Sequence, residues 1–150
     1  MIFLTELAHN SIFISAVTGW LVAQILKTII HLIVNKKFVA ERLVGSGGMP
    51  SSHSATVCAL ATAAGIKYGG GSFEFAIAVI FAIVVMYDAM GVRRETGKQG
   101  KVLNEMMEVF TQMGKNIGVE KALKEFVGHT PIQVFMGAIL GIVIALVICL

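Results

Sequence analysis

Four long apolar segments fill most of this 150-residue chain, and they constrain its fold more than any other feature. They run over residues 11–34, 51–68, 73–88 and 130–150. The chain is 56% hydrophobic and 14% charged, whereas soluble domains carry about 25% charged residues, so too little polar surface remains to cover a soluble core. The second and third segments are short for membrane spans, which need about 20 residues. Taken together, the four segments predict an all-α integral membrane helical bundle with about four transmembrane helices, in a single domain over residues 1–150.

The three connections between these segments differ in length and character. Residues 35–50 form a long loop, whereas residues 69–72 form a tight glycine turn that makes the second and third segments an antiparallel hairpin. The third connection, residues 91–128, is polar, but apolar residues recur at helical spacing over 102–113 and 119–127. This spacing predicts one or two short amphipathic helices. They either lie against the membrane surface or pack as a small cap on the loops.

The positions of the basic residues predict the orientation of the bundle. Four spans place both long connections on one side of the membrane and the termini and glycine turn on the other. Of the 12 lysines and arginines, 11 lie in the long connections or in the part of the first segment leading to them. The positive-inside rule then places the long connections in the cytoplasm. We expect an integral protein of the plasma (inner) membrane.

Unusual polar residues are concentrated at the segment ends that this topology brings to the cytoplasmic face. They are Lys27, His31, Pro50, Ser51, Ser52, His53, Asp88, Arg93, Arg94, His129 and Thr130. Polar residues at membrane depth are costly and usually face a bundle interior or a water-filled cavity. The topology therefore predicts one polar cavity at this face.

The first two motifs supply a cation and a helix start. Lys27 shares a helix face with Gln24 and His31, so it either enters a polar site or snorkels to the interface. The second motif is a glycine-rich loop followed by Pro50, Ser51, Ser52 and His53. Glycines allow close backbone approach to a ligand, and free N–H groups at a helix start bind anions. The alternative is a flexible turn before a capped helix, with His53 on the surface.

The last two motifs follow the third segment and open the fourth. Arg93 and Arg94 either bind phosphate through their guanidinium groups or anchor the helix by the positive-inside rule. Asp88, a carboxylate inside an apolar run, needs a partner and could hold one of these cations in place. Thr130, Pro131 and Gln133 match a helix N-cap, first turn and capping box. That match leaves His129 unexplained.

Two histidines, several cations and a glycine-rich loop around one cavity suit phosphoryl transfer. One imidazole can attack phosphorus while the other protonates the leaving oxygen, and cations stabilise the oxygen cage between them. Carboxylates are sparse, with Asp88 the only one placed inward, so neither a metal nor another cofactor is expected. The expected ligand of such a cavity is a phosphate-like anion. Nucleic acid is not expected.

At these residues the sequence resembles the divergent branch of the type 2 phosphatidic acid phosphatase and vanadium haloperoxidase superfamily. The stretches that carry the resemblance are Ala23-Gln24-x-x-Lys27, Arg42, GSGGMPSSHSA, YDAMGVRRETGKQ and GHTPIQVFMGAILG. The resemblance implies an all-α membrane bundle that hydrolyses phosphate esters without a metal. It also implies a phosphohistidine intermediate and, commonly, lipid phosphate substrates. The expected partners are therefore a membrane lipid or lipid phosphate and phosphate- or vanadate-like anions.

The resemblance also implies a role for each matching residue. His129 corresponds to the nucleophile, His53 to the general acid, and Ser52 to a phosphate ligand. Lys27 and Arg42 correspond to the cations of the first motif. The remaining phosphate-binding arginine corresponds to Arg93 or Arg94, and the supporting positions are Ser51, Asp88 and Gln133.

The sequence departs from the mainstream pattern of the superfamily in three places. Lys27 and Arg42 are 15 residues apart rather than close together, and Arg94 precedes His129 by 35 residues rather than a few. Gln133 stands where an aspartate usually orients the nucleophile. Its carbonyl can accept a hydrogen bond from an imidazole, but it supplies no negative charge, unless Asp88 reaches His129 instead.

The leading hypothesis from the sequence is a membrane-bound, metal-independent phosphatase acting on a lipid phosphate or pyrophosphate at the cytoplasmic face. It expects the imidazoles of His53 and His129 on opposite sides of a cavity of phosphate dimensions. The second hypothesis is a non-catalytic protein that binds or transports an anion or lipid phosphate through a degenerate site. A small structural membrane protein is the third. Because four spans are few to enclose a site, a homodimer is also expected.

Overall fold

The computed structural model describes residues 2–36, 48–114 and 128–150, and every regular element in these ranges is an α-helix. The helices are α1 (Ile2–Ala8), α2 (Ser11–Asn35), α3 (Ser52–Tyr68), α4 (Phe73–Met90), α5 (Val92–Gln112) and α6 (Pro131–Cys149). The predicted all-α bundle is therefore confirmed. The predicted helix over 119–127 and the predicted site residue Arg42 lie outside the described residues.

Short polar side chains begin each helix of the bundle, as their hydrogen-bonding capacity dictates. Asn10, Ser51 and Ser72 cap α2, α3 and α4, each accepting a bond from a backbone N–H in the first turn. Thr130 caps α6 in a complete capping box with Gln133, as the sequence predicts. The helix starts are thus fixed locally, before any tertiary contact.

The central helix is α3, which packs against α2, α4 and α6. Glycines allow this close approach: Gly19 of α2 and Gly141 of α6 both face the backbone carbonyl of Ala55. Gly137, one turn before Gly141, faces the carbonyl of Ser51. Side chains at these glycines would collide with the α3 backbone. The GxxxG pair of α6 therefore mediates packing within the chain, as small residues do in membrane bundles.

Small side chains fill the bundle interior, and large apolar side chains cover its outside. The buried apolar residues are mostly alanines, among them Ala23, Ala55, Ala59, Ala63 and Ala145. Many isoleucines, leucines, valines and phenylalanines of α2, α4 and α6 are exposed. An exposed apolar surface of this extent is typical of a bundle whose solvent is lipid.

Three helical stretches are long and apolar enough to cross a bilayer: Ser11–Asn35, Phe73–Gln112 and Pro131–Cys149. The second of these joins α4 and α5. The 17 residues of α3 fall short of these three, with a length of about 25 Å at 1.5 Å per residue. Thus the first, third and fourth predicted spans are each long and apolar enough to cross a bilayer. The second predicted span, α3, packs against helices of all three.

Helix α5 differs from the predicted short amphipathic helix. It begins at Val92 instead of near residue 102, after a single break at Gly91. Gly97 and Gly100, which weaken a helix on propensity grounds, are buried on one side of α5, so packing outweighs their intrinsic cost. The predicted apolar stripe is present, and most of it is exposed, including Val102, Leu103, Met106, Phe110 and Met113.

Candidate active site

Backbone hydrogen bonds tie three helix ends together at one end of the bundle. The N–H of Ser51, at the start of α3, donates to the carbonyl of Gln133 in α6 over 3.0 Å. The N–H of His129, just before α6, donates to the carbonyl of Ala89 near the end of α4 over 2.9 Å. The segment ends that the topology predicts to converge are therefore in direct contact, and their polar side chains share one region.

The two predicted catalytic histidines contact each other. Nδ1 of His53 lies 3.4 Å from Nε2 of His129, and the ring centroids are 5.6 Å apart at an interplanar angle of 66°. His129 is only 1% exposed, whereas His53 is partly exposed. The expectation of a phosphate-sized gap between the imidazoles is wrong for this structure. The edge-on contact satisfies ring nitrogens that burial would otherwise leave without partners.

Gln133 determines which nitrogen of His129 carries the proton. The backbone N–H of Thr130 donates to Oε1 of Gln133 over 3.0 Å, so this atom must be the carbonyl oxygen of the amide. The same oxygen lies 3.3 Å from Nδ1 of His129 and accepts a hydrogen bond from the tautomer that carries its proton on Nδ1. Nε2 is then unprotonated, and its lone pair points toward His53. The capping box of α6 thus sets the tautomer of the buried imidazole.

Burial lowers the pKa of His129 to about 4. The hydrogen bond to Gln133 and a backbone hydrogen bond with Gly48 act in the opposite direction, whereas His53 and Lys27 lower the pKa further by charge repulsion. The imidazole of His129 is therefore neutral at neutral pH. An unprotonated Nε2 is the form that can act as a nucleophile.

Lys27 lies inside the bundle instead of extending to the interface. The residue is 2% exposed, and its Nζ donates to Oε1 of Gln24 over 2.5 Å and to Oγ of Ser52 over 3.5 Å. Its aliphatic stem passes Gly48, where a Cβ would stand 3.1 Å from Cγ of the lysine. Gln24, not among the predicted site residues, is therefore the side chain that orients this cation.

Asp88 holds Arg93 and does not orient His129. Oδ2 of Asp88 accepts a hydrogen bond from Nε of Arg93 over 2.6 Å, and both side chains are roughly half exposed. The side chain of Arg94 is exposed, and its backbone packs against Gly128, whose φ of +95° suits glycine. Of the two arginines, Arg93 is the one that lies beside His53.

The serines at the start of α3 are buried. Ser51 uses its hydroxyl to cap the helix, and Ser52 contacts Lys27. Ser54 is fully buried, and its Oγ has no hydrogen-bond partner among the described residues. Of these three serines, Ser52 is the one that lines a cavity, so its hydroxyl and the N–H groups of the first turn are the groups placed to meet an anion.

An open cavity of about 600 Å³ runs along the outside of α3 between α2 and α4, and we call it the lateral groove. Its polar end is formed by Gln24, Ser52, His53, Asp88 and Arg93, and the rest by Trp20, Thr56, Val57, Phe81, Val84 and Val85. Trp20 was not among the predicted site residues, although this single tryptophan of the sequence lies one turn from Gln24 on the same face of α2. Within the described ranges, no three histidine, cysteine or acidic side chains converge on a point where a metal could bind.

Fold and site together define an all-helical integral membrane protein with two imidazoles and a buried lysine at one end of its bundle. The chain belongs to the divergent PAP2 family, whose sequence pattern matches residues 8–144. It is 38% identical over 152 residues to the uncharacterized membrane protein YuiD of Bacillus subtilis (strain 168), an alignment covering 95% of this chain and 96% of that protein. No solved structure matches the chain. The resemblance drawn from the motifs is thereby confirmed.

Proposed function

We propose that the protein is a metal-independent phosphatase of the membrane that hydrolyses a lipid phosphate or pyrophosphate through a phosphohistidine. One observation carries this proposal: the buried imidazole of His129 is neutral, with Nε2 directed at His53 beside the cations Lys27 and Arg93. The family relationship supports the same chemistry.

In the first step, Nε2 of His129 attacks phosphorus, and the bond from phosphorus to the leaving oxygen breaks. The negative charge of the bound phosphate favours a protonated His53, which donates its proton to that oxygen as the alcohol or phosphate leaves. Lys27, Arg93 and the N–H groups at the start of α3 stabilise the negative charge on the other phosphoryl oxygens.

In the second step, water attacks the phosphorus of phosphohistidine. His53, now neutral, accepts a proton from this water, and the nitrogen–phosphorus bond breaks. The electron pair returns to Nε2 of His129, and inorganic phosphate leaves. The cycle restores both histidines to their starting protonation states, so no metal or other cofactor enters the balance.

A phosphoryl group can lie between the imidazoles only after they separate. His129 is held by Gln133 and by its backbone bond to Ala89, whereas His53 is partly exposed at the edge of the lateral groove. The moving partner is therefore His53, which rotates toward the groove when phosphate enters. The site lies at the cytoplasmic face of the inner membrane, on the positive-inside argument.

The test is phosphate release by the purified protein from short-chain phosphatidic acid and from an isoprenyl pyrophosphate, with and without a chelator. We expect release that the chelator does not change and that His129→Ala reduces by more than about 10³-fold. The matched control is His9→Ala, because His9 is exposed and its ring bonds the backbone carbonyl of Thr5 in α1, away from the site. Equal release by the wild type and His129→Ala would overturn the proposal.

A second candidate function is binding or transport of a phosphate group without turnover. The neutral amide of Gln133 favours it, because no negative charge stabilises an imidazolium at His129. A comparable loss of charge in a serine protease triad lowers kcat by about 10⁴-fold. Vanadate binding by wild-type protein that releases no phosphate from either substrate would support this second function.

A further inference from the structure

The lateral groove has two chemically different ends. At one end, Arg93, Asp88 and His53 offer charge and hydrogen bonds. At the other, Trp20 and Phe81 offer only apolar surface apart from the indole N–H. A small water-soluble phosphate ester would use the polar end alone, so the shape and chemistry of the groove match a ligand that is itself polar at one end and apolar at the other.

The depth of the groove follows from helix geometry. Asp88 and Phe81 lie on the same wall, seven residues apart in α4, which corresponds to about 10 Å along the helix. On the opposite wall, Trp20 precedes Gln24 by four residues in α2. Phe81 therefore lies about two turns below the polar end and Trp20 about one turn below it, so a hydrocarbon stem starting at the phosphate passes both.

The groove opens sideways toward lipid. Helices α2 and α4 both pack against α3, and no Cα atom of one lies within 8 Å of a Cα atom of the other. Trp20, Phe81 and Val84 on the two walls remain 40%, 51% and 59% exposed. An apolar chain can therefore enter from the bilayer without leaving the hydrocarbon layer, which avoids exposing its surface to water.

We propose that the lateral groove binds the hydrocarbon stem of a phosphorylated lipid and that Trp20 and Phe81 are its specificity-determining contacts. This inference rests on the proposed function in one respect: the phosphate of the lipid occupies the site formed by His53, His129 and the cations. The groove distinguishes a lipid phosphate from bulk lipid by the charge at its polar end, and from free phosphate by its apolar walls.

Trp20 provides a direct test, because it is the only tryptophan of the chain. The His129→Ala protein, which binds without turnover, is placed in phosphatidylcholine nanodiscs and titrated with lipids whose chains carry bromine, a quencher of tryptophan fluorescence. We expect a brominated single-chain lipid phosphate to quench Trp20 at about tenfold lower mole fraction than brominated phosphatidylcholine. Bromines near the headgroup should quench more strongly than bromines at the chain end.

Two further measurements, on Arg93→Gln and with inorganic phosphate as competitor, distinguish recognition of the phosphate group from recognition of the hydrocarbon stem. We expect Arg93→Gln to bring the two brominated lipids closer to equal quenching, and inorganic phosphate to compete only at far higher concentration than the lipid phosphate. Equal quenching by the two lipids in the parent protein would show ordinary bilayer contact at Trp20 and would overturn the inference.

Phe81→Ala tests the specificity role by hydrolysis, with Phe135→Ala as the matched control on the outside of α6. Losing a buried phenyl contact of about 1.4 kcal/mol corresponds to a tenfold change. We expect Phe81→Ala to lower kcat/KM about tenfold for a long-chain lipid phosphate and by a much smaller factor for glycerol phosphate, which has no apolar stem to contact Phe81. Phe135→Ala should change neither.

The two proposals can fail separately. Selective quenching by the lipid phosphate without hydrolysis of any substrate would support lipid binding in the lateral groove and overturn the proposed phosphatase activity. Hydrolysis of lipid phosphate with an equal effect of Phe81→Ala on both substrates would support the phosphatase activity and overturn the proposed role of the lateral groove in lipid binding.

Discussion

A single amide oxygen links helix formation to the chemistry of the site. Oε1 of Gln133 accepts from the N–H of Thr130, which completes the capping box of α6, and also from Nδ1 of His129. A residue chosen only to cap the helix could be glutamate or glutamine. At this position the choice between them also decides whether His129 faces a charge.

Gln133→Glu should therefore change the site without changing the helix. The glutamate keeps the capping box and places a carboxylate beside Nδ1 of His129, which should raise the pKa of that imidazole by roughly 1–3 pH units. The measurement is the titration of His129 by nuclear magnetic resonance of isotope-labelled histidine. Phosphate release by the same variant should increase, because the carboxylate stabilises an imidazolium. An unchanged titration would mean that Gln133 does not contact the ring.

The lowered pKa of His129 also predicts how stability depends on pH. The folded protein holds this imidazole at a pKa of about 4, against an ordinary value of 6.5, so the unfolded chain binds the proton more readily. The contribution to stability is complete above pH 6.5 and is lost as the pH falls toward 4. In His129→Gln, we expect thermal midpoints in detergent to fall less steeply between pH 7 and pH 4.5 than in the wild type. Parallel pH profiles would contradict this assignment.

At the residue scale, contacts between side chains of the same helix were predictable from the sequence, whereas contacts between side chains of different helices were not. The capping box of Thr130 and Gln133 and the shared face of Gln24 and Lys27 follow from spacing along one helix. The contact between the imidazoles depends on rotamers set by three helices, which no spacing encodes. For the same reason, the sequence allowed Asp88 to pair either with a nearby cation or with His129 and could not decide between them. The structure pairs Asp88 with Arg93.

At the scale of helices, α3 lies between glycines on two sides. Gly19 and Gly141 face the same carbonyl, that of Ala55, from α2 and α6. This arrangement brings α3 close enough to both neighbours for the site residues at its start to meet Lys27 and His129. The separation of these helices therefore controls the geometry of the site.

Gly141→Ala should destabilise the bundle although alanine favours helices. The propensity gain is about 1 kcal/mol, but the new methyl group meets the backbone of α3, where overpacking costs about 1–3 kcal/mol. The matched control is Gly70→Ala in the turn between α3 and α4, where nothing lies within 4 Å. We expect a lower thermal midpoint in detergent for Gly141→Ala alone. An unchanged midpoint would show that the helices can separate without cost.

The N-terminal part of α5 could not be predicted from the sequence. The apolar spacing over 102–113 was detectable, but residues 92–101 contain two glycines and resemble a loop. In the structure the helix nevertheless begins at Val92, and Gly97 and Gly100 are both buried. Tertiary burial outweighs a propensity cost of about 1 kcal/mol per glycine, and burial is not visible in a single sequence.

At the scale of the whole molecule, the orientation in the membrane can be tested with single cysteines. Both native cysteines, Cys58 and Cys149, are first replaced by alanine, and one cysteine is introduced at Gly71 or at Met113, both of which are exposed. In intact cells, we expect a membrane-impermeant maleimide to label the variant at Gly71. The variant at Met113 should react only after permeabilisation, because basic connections stay in the cytoplasm. The reverse pattern would place the site on the outer face.

The enclosed position of α3 has a consequence for how the chain enters the membrane. This helix has 17 residues, opens with two serines flanking a histidine and carries a lysine near its other end, so lipid alone is a poor environment for it. The glycine turn joins it to α4, which is much more apolar. If α3 and α4 insert as a pair, the apolar surface of α4 offsets the cost of placing the polar residues of α3 in the bilayer. We therefore expect α3 to enter the bilayer together with α4 during biogenesis, and a chain cut before α4 to leave α3 outside it.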